Sequence, residues 1–360
     1  MISIDGDAKT SAAHGCKPLE RTIEQLLEAG MVIIDKPAGP NSHQVSAWAR
    51  DILGVEKLGH GGTLDPYATG VLVLLSGRSM RLTKKVLKHD KTYVGVLRAS
   101  RNFDADALGR AIAQLSGQVY NVPPEISAVK IQVRSRQMDS RLIEVDGRDA
   151  AIEVTCEAGT YIRTLARDLG LLLGHPVKLK ELRRTKSGRF MEPQAITLQN
   201  LKDAYWLWQE KGEDVAMRRI LSPIESLVAE LPQIIIKDGA AGAIAHGAPL
   251  MRPGIVSISE NLERGDTVRL MTIKGELVAL ASMLTRTESI LEMKEGEVAQ
   301  PDSVFLPSDV YPRAWKKGNS PAERIYRKVY ACSYSSKIHV SLSRRIFSFA
   351  MCFTTPVPTP

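Results

Sequence analysis

The stretch Gly59-His60-Gly61-Gly62-Thr63-Leu64-Asp65-Pro66 limits what this chain can form more than any other. It is the densest run of small and turn-forming residues, and it leads into the apolar run Val71 to Leu75, which reads as a buried strand. Pro66 biases Asp65 towards an extended backbone, so a carboxylate is held on a shaped loop just ahead of a core strand. Two familiar glycine-rich devices are excluded. A phosphate loop needs G-x-x-x-x-G-K-[ST], and the Lys-Ser/Thr ending is absent. A lipase-type oxyanion loop needs a G-x-S-x-G nucleophile elbow, which occurs nowhere in the chain. What remains is an aspartate on a glycine-rich loop or, in the plainer reading, a turn Asp bonding its own backbone.

Around this loop the pattern predicts a strand at Met31 to Asp35, closed by the turn Lys36-Pro37-Ala38-Gly39-Pro40. A helix follows, with Ser42 as N-cap, Val45, Ala49, Ile52 and Leu53 on one face, and Gly54 as its stop. Tyr93 to Leu97 reads as a strand and Asp104 to Leu115 as a helix. Strand-rich stretches follow at 126–133, 141–146 and 151–156. Tyr161 to Leu173 is expected to be helix, Val177 to Thr185 strand, and Thr197 to Gln209 an amphipathic helix. Strands with helices inserted at irregular intervals predict an α+β fold with a mixed sheet rather than regular βαβ winding. Beyond Leu231-Pro232 the texture changes to short strands broken by Gly, as a small β-barrel reads.

Length and charge narrow the class. The chain has 360 residues, enough for two or three domains, and its 44% apolar content is that of an ordinary globular protein. No apolar run is long enough to span a bilayer, and no membrane association is expected. The first residues carry acids and small polar side chains where a secretory signal has an apolar core, so export is not expected. Cys16, Cys156, Cys332 and Cys352 are scattered and form no C-x-x-C pair, which suits a reducing cytoplasm. The net charge is +8, of which residues 318–360 supply six basic residues against one acid. That basic tail is expected to be a disordered extension or sequence foreign to the rest. Two basic clusters remain, Arg78 to Lys91 and Lys178 to Arg189. Each reads either as a solvated face or as a set of phosphate contacts.

Five motifs occur in the order and spacing of one family. Lys36-Pro37-x-Gly39, Gly62-Thr63-Leu64-Asp65-Pro66, Lys91-x-Tyr93, Gly159-Thr160-Tyr161-Ile162-Arg163 and Leu182-Arg183-Arg184-Thr185-x-Ser187-Gly188 resemble those of TruB-type pseudouridine synthases. Leu58-Gly59-His60, the Gly147-Arg148-Asp149 turn and the 246–281 stretch resemble its archaeal dyskerin-like branch. The resemblance covers roughly residues 31 to 317. It divides the chain into an N-terminal extension (1–30), a catalytic domain (31–230) and an RNA-binding PUA domain (231–306). His246-Gly247-Ala248 and Arg252-Pro253-Gly254 mark the last of these. Two departures stand out. Gly61 replaces a usual Ser, and Ile131 to Ser140 carries only Arg134 and Arg136 where the branch is strongly basic and aromatic.

The resemblance implies an isomerase that detaches uracil from a uridine in RNA, turns it over and rejoins it through C5. No atoms are gained or lost, so no cofactor and no metal is expected. It implies Asp65 as nucleophile, Arg163 as the arginine that pairs with it, and Tyr93 as the residue stacking on the flipped base. Lys36, Pro37, His60 and Leu182 are carried over as substrate-binding and loop-supporting positions. As isolated residues, Arg163 would read as a structural ion pair, Tyr93 as core, and His60 as no general base. The expected substrates are uridine 55 in the T-arm of tRNA, or sites in ribosomal RNA chosen by a box H/ACA guide RNA with small partner proteins. A non-catalytic RNA-binding scaffold is the alternative.

Overall fold

The computed structural model describes residues 1–123 and 133–312. Most of the 126–133 stretch expected as strand, and the whole 318–360 tail, lie outside the described residues.

Residues 30–36 and 69–76 are apolar on almost every position because both faces of these strands are covered. Gly30–Lys36 and Thr69–Ser76 pair antiparallel in a ten-stranded sheet. Side chains alternate across a strand, so Val32, Ile34, Leu72 and Leu74 face one way. There they pack under the helices Ile23–Glu28, Ser42–Leu53 and Leu198–Lys211, through Leu26, Val45, Ala49 and Leu201. Met31, Ile33, Val71, Val73 and Leu75 face the other way, onto Met271, Leu277, Leu280 and Phe305. The first three belong to a second, seven-stranded sheet, and Phe305 directly follows its strand Glu297–Val304.

The ten-stranded sheet runs in the order Leu221–Pro223, Gly30–Lys36, Thr69–Ser76, Val177–Ser187, Lys91–Ala99, Asp149–Cys156, Arg134–Asp146 and Gly117–Asn121. Leu58–His60 and Phe190–Met191 are short side additions. All these pairings are antiparallel except one. Thr69–Ser76 meets Val177–Ser187 in parallel over two pairs only, Thr69 with Arg183 and Gly70 with Arg184. The sheet therefore consists of two halves joined by a narrow parallel contact. Helices Ala105–Gln114 and Ile162–Leu173 cover the second half, burying Leu108, Ile112, Leu165 and Leu169 against Leu97, Ile152 and Val154. This is the mixed α+β architecture read from the sequence, with strands two to seven residues longer than the apolar runs suggested.

The helix after the Lys36–Pro40 turn begins differently from its expected start. Asn41 is the N-cap, its side chain accepting from Gln44 N at 2.9 Å, and Gln44 returns the bond to Asn41 N at 2.9 Å. Ser42 is the first helical residue and is buried, which frees its hydroxyl for another task. Gly54 ends the helix in the left-handed conformation, as expected.

Residues 1–30 do not stand apart. Ile2–Ser3 pairs antiparallel with Ile255–Ile258 and so becomes an edge strand of the seven-stranded sheet. Thr10 and Ser11 bond Asp238, and Cys16 N donates to the buried Glu276 carboxylate at 3.2 Å. Arg21 pairs with Glu225 through two bonds of 2.9 and 2.8 Å, and Glu225 also accepts from Leu277 N. One segment thus ties both sheets together.

At the parallel contact Gly70 has φ +99°, and a Cβ there would lie 2.2 Å from the Arg184 carbonyl oxygen. Both the dihedral and the close approach demand glycine. Gly70→Ala is expected to destabilise the protein by roughly 2 kcal/mol or more, read as a lowered midpoint in denaturant.

Candidate active site

Within the Gly61–Ala68 loop the backbone closes on itself only through Ala68 N and Asp65 O, so its shape depends on what reaches in from outside. Two cations do most of this. Lys36 is 0% exposed, and its ammonium donates to the carbonyls of Pro37 at 2.8 Å, Pro66 at 3.0 Å and Ala68 at 2.8 Å. Arg184 is 1% exposed and donates to Val71 O at 2.7 Å, Gly62 O at 3.1 Å and Thr63 O at 3.4 Å. Ser42 completes the clamp, accepting from Leu64 N at 2.8 Å and donating to Leu64 O at 3.1 Å. Gly39 N reaches Pro66 O at 2.9 Å. Burial lowers the affinity of Lys36 for its proton, and Arg184 adds to this, while the negative charge of Asp65 opposes both.

The next-door arginine works on the opposite face. Arg183 forms a fork with Asp35, both bonds 3.0 Å, and also holds Thr69 and Glu192. The basic run at 178–189 therefore divides. Arg184 is buried and Arg183, one-third exposed, is held by carboxylates, whereas Lys178, Lys180, Lys186 and Arg189 are exposed. In the other cluster, Arg81 is bonded to the Val304 carbonyl, leaving Lys84 and Lys88 exposed.

On this loop Asp65 is one-third exposed and meets Arg163, which is equally exposed. Arg163 Nη2 donates to Oδ1 at 3.2 Å. Its Nε lies 3.2 Å from Oδ2 but lacks the alignment of a hydrogen bond. Arg163 is the second residue of the Ile162–Leu173 helix, whose start is fixed by several contacts. Gly159 supplies a positive φ of 81°, Asn121 exchanges two bonds with the Tyr161 backbone, and Thr164 donates to Val122 O at 2.7 Å.

Tyr93, Leu182 and Leu64 are buried in one apolar cluster beside the loop. Burial pushes the Tyr93 hydroxyl up, with the Arg184 guanidinium opposing. His60 stacks edge-on against His43, ring centroids 4.8 Å apart, and its buried Nδ1 has no hydrogen-bond partner among the described residues. Burial pushes its imidazole down to about 4, with His43 and Arg184 adding to the effect, so it is neutral at pH 7. Pro37 is exposed at the turn and contributes its carbonyl to Lys36. The structure thus gathers Asp65, Arg163, Tyr93 and Leu182 at one place and sets Lys36 beneath the loop, where no donor of its ammonium is left for a substrate.

Three contributors were not singled out from sequence. Ser42 was assigned to a cap, Arg184 was counted in a charge run, and Lys91 was only a motif letter. Lys91 is buried, donates to the His89 carbonyl, and is pushed down to about 8 by burial and by Arg184. Among the described residues no three His, Cys, Asp or Glu side chains converge as a metal site would, and no helix is long and apolar enough to cross a membrane.

The chain is similar to known proteins over most of its length. Residues 50–105 match the N-terminal domain of TruB family pseudouridylate synthases, and 163–229 match the C-terminal domain of tRNA pseudouridylate synthase B. Residues 232–305 match the PUA domain and 2–46 the DKCLD domain. A probable tRNA pseudouridine synthase B of Methanothermobacter thermautotrophicus is 42% identical over 86% of this chain and 96% of its own length. Its counterpart in Archaeoglobus fulgidus is 41% identical over 88% and 98%. Among solved structures, a chain of a Cbf5-Nop10-Gar1 complex superposes with TM-score 0.78 and 39% identity, covering 86% of this chain and 95% of that one. A chain of an H/ACA RNP bound to a substrate RNA containing 2'-deoxyuridine gives TM-score 0.79 and 37% identity, covering 87% and 96%.

Lys36→Met would strand three carbonyls, so it is expected to cost roughly 2 to 4 kcal/mol in thermal denaturation. A second expectation concerns acid. An unfolded His60 takes its proton near 6.5 and the folded one only near 4, so between these values the unfolded state binds the extra proton. Stability is therefore kept above pH 6.5 and declines as pH falls towards 4. Denaturant titrations across that range should show a shallower decline for His60→Gln than for wild type.

Proposed function

Because the chain belongs to the TruB family of pseudouridylate synthases, we propose that Asp65 is the nucleophile with which it converts uridine to pseudouridine in RNA. The observation that carries this reading is the Asp65–Arg163 pair, set on a clamped loop beside the Tyr93 and Leu182 wall. The carboxylate attacks C1′ or draws a proton from the ribose. In either case the N1–C1′ bond breaks and its electron pair leaves with the uracil. Tyr93 and Leu182 hold the freed base while it turns. C5 then bonds C1′ as Asp65 is released, by breaking of its ester bond to C1′ on the first route or by return of the ribose proton on the second. The C5 proton is lost to solvent and N1 takes one up. Arg163 keeps the carboxylate aimed, and the buried cations under the loop spare it any reorganisation during the reaction. Pro37 and His60 shape the rim of the same pocket.

The substrate we propose is uridine 55 in the T-arm of tRNA, in keeping with the relatives named as probable tRNA pseudouridine synthases. Guide-directed sites in ribosomal RNA are a second target. They are favoured by the likeness to chains that assemble with Nop10, Gar1 and substrate RNA. The PUA domain at 232–305 would grip the RNA away from the reacting uridine, and exposed Lys84, Lys88, Lys178 and Lys180 would contact phosphates.

Tritium release from C5-labelled tRNA transcript tests the chemistry, since label is freed only when C5 forms the new bond. Wild type should release label, and Asp65→Asn should lower the rate by more than about a thousandfold while RNA affinity stays within a few-fold. Equal release by the variant would overturn Asp65 as nucleophile. If neither releases label even with guide RNA and partner proteins added, the scaffold reading would replace this one.

A further inference from the structure

Asp65 and Arg163 come from opposite halves of the ten-stranded sheet. Lys36 and Ser42, which fasten the Asp65 loop, belong to the first half and the helix packed on it. Arg163 rides on Ile162–Leu173, which packs on the second half. Only one aligned hydrogen bond joins the two side chains, from Nη2 to Oδ1, and both are one-third exposed. A single ion-pair bond open to water does not fix a guanidinium, so its aim must come from the backbone that carries it.

That backbone is poorly secured by its own sequence. Tyr161 is the N-cap of the helix, and its side chain makes no capping bond. An uncapped first turn leaves backbone donors unpaired and frays, and Arg163 lies in that turn. Support comes from another strand. Asn121, the last residue of the edge strand Gly117–Asn121, is 5% exposed. Its Oδ1 accepts from Tyr161 N at 2.9 Å, and its Nδ2 donates to Tyr161 O at 3.2 Å. A side-chain amide carries the donor and acceptor of a peptide, so Asn121 pairs with Tyr161 as a neighbouring strand would. The next residue adds a third bond, Val122 O accepting from the Thr164 hydroxyl at 2.7 Å. Residues 161 and 164 are thus pinned on either side of Arg163.

We propose that Asn121 is a positioning residue for the reaction: by pairing with the Tyr161 backbone it holds the first turn of the helix, and so keeps the Arg163 guanidinium aimed at the Asp65 carboxylate. This rests on Asp65 and Arg163 acting as proposed above. Both atoms of the amide are needed. An aspartate at this position would set a carboxylate oxygen against the Tyr161 carbonyl, and an alanine reaches neither backbone group.

Two variants and a second background test this. In single-turnover tritium release at saturating RNA, Asn121→Asp and Asn121→Ala should each be slowed about tenfold, with RNA affinity unchanged within about twofold. In an Arg163→Ala background the same changes should cost less than about twofold, because no guanidinium is left to aim. An equal loss in both backgrounds would overturn the proposal and leave Asn121 a purely structural residue. Wild-type rates for both variants would overturn it too. A further readout needs no turnover. With 15N-labelled arginine, the Arg163 Nε resonance, identified by its loss in Arg163→Ala, should move on Asp65→Asn. In Asn121→Ala that response should largely disappear, and an undiminished response would overturn the proposal. If wild type releases no label from any RNA while the response still depends on Asn121, the assigned reaction falls and the positioning of Arg163 stands.

Discussion

The two-pair parallel contact between Thr69-Gly70 and Arg183-Arg184 is the point on which the rest of the molecule depends. Each half of the ten-stranded sheet is well knit by long antiparallel ladders, but only this contact joins them. Two adjacent arginines reinforce it, and adjacency in a strand sends them to opposite faces. Arg183 on one face binds Asp35, Thr69 and Glu192, so it ties the neighbouring strands together by charge. Arg184 on the other finds no carboxylate of its own and spends its protons on loop carbonyls. An unpaired buried cation is normally costly, and here the dipoles of several carbonyls offset that cost. The glycine-rich loop is thus shaped by the same residue that closes the sheet.

The electrostatic consequence is a positive floor. Lys36, Lys91 and Arg184 are all buried near the loop, and Asp65 is the nearby carboxylate. The strain shows in Lys91, whose amine is driven down to about 8. An anionic polymer entering such a pocket meets a field already oriented towards it, without any movement of side chains.

Much of this was legible in the sequence. The loop with its aspartate, the strands on both sides of it and the helix carrying Arg163 follow from turn residues and apolar runs. What was missed has physical reasons. Asn41 and Ser42 are both good caps, and only tertiary packing decides that Ser42 turns inward to Leu64. A charge run such as Lys178 to Arg189 looks uniform in one dimension, but in a strand every second residue points inward, and burial of Arg184 depends on acceptors remote in sequence. In residues 1–30 the two-residue strand has no period to read, whereas the Ile23–Glu28 helix does, at Ile23, Leu26 and Leu27.

The pairing of Ile2–Ser3 with Ile255–Ile258 also has a consequence in time. During synthesis the first of these segments leaves the ribosome roughly 250 residues before the second, which at typical elongation rates is about 10 to 50 s. Until then the edge strand has no partner, and the contact of Cys16 with Glu276 waits with it, whereas Arg21 and Thr10 meet Glu225 and Asp238 earlier. The catalytic half can be complete and still lack its strap. Assembly of this molecule therefore closes on a segment made long before its partner, and a nascent chain stalled before residue 255 would carry a finished loop with its edge strand unpaired.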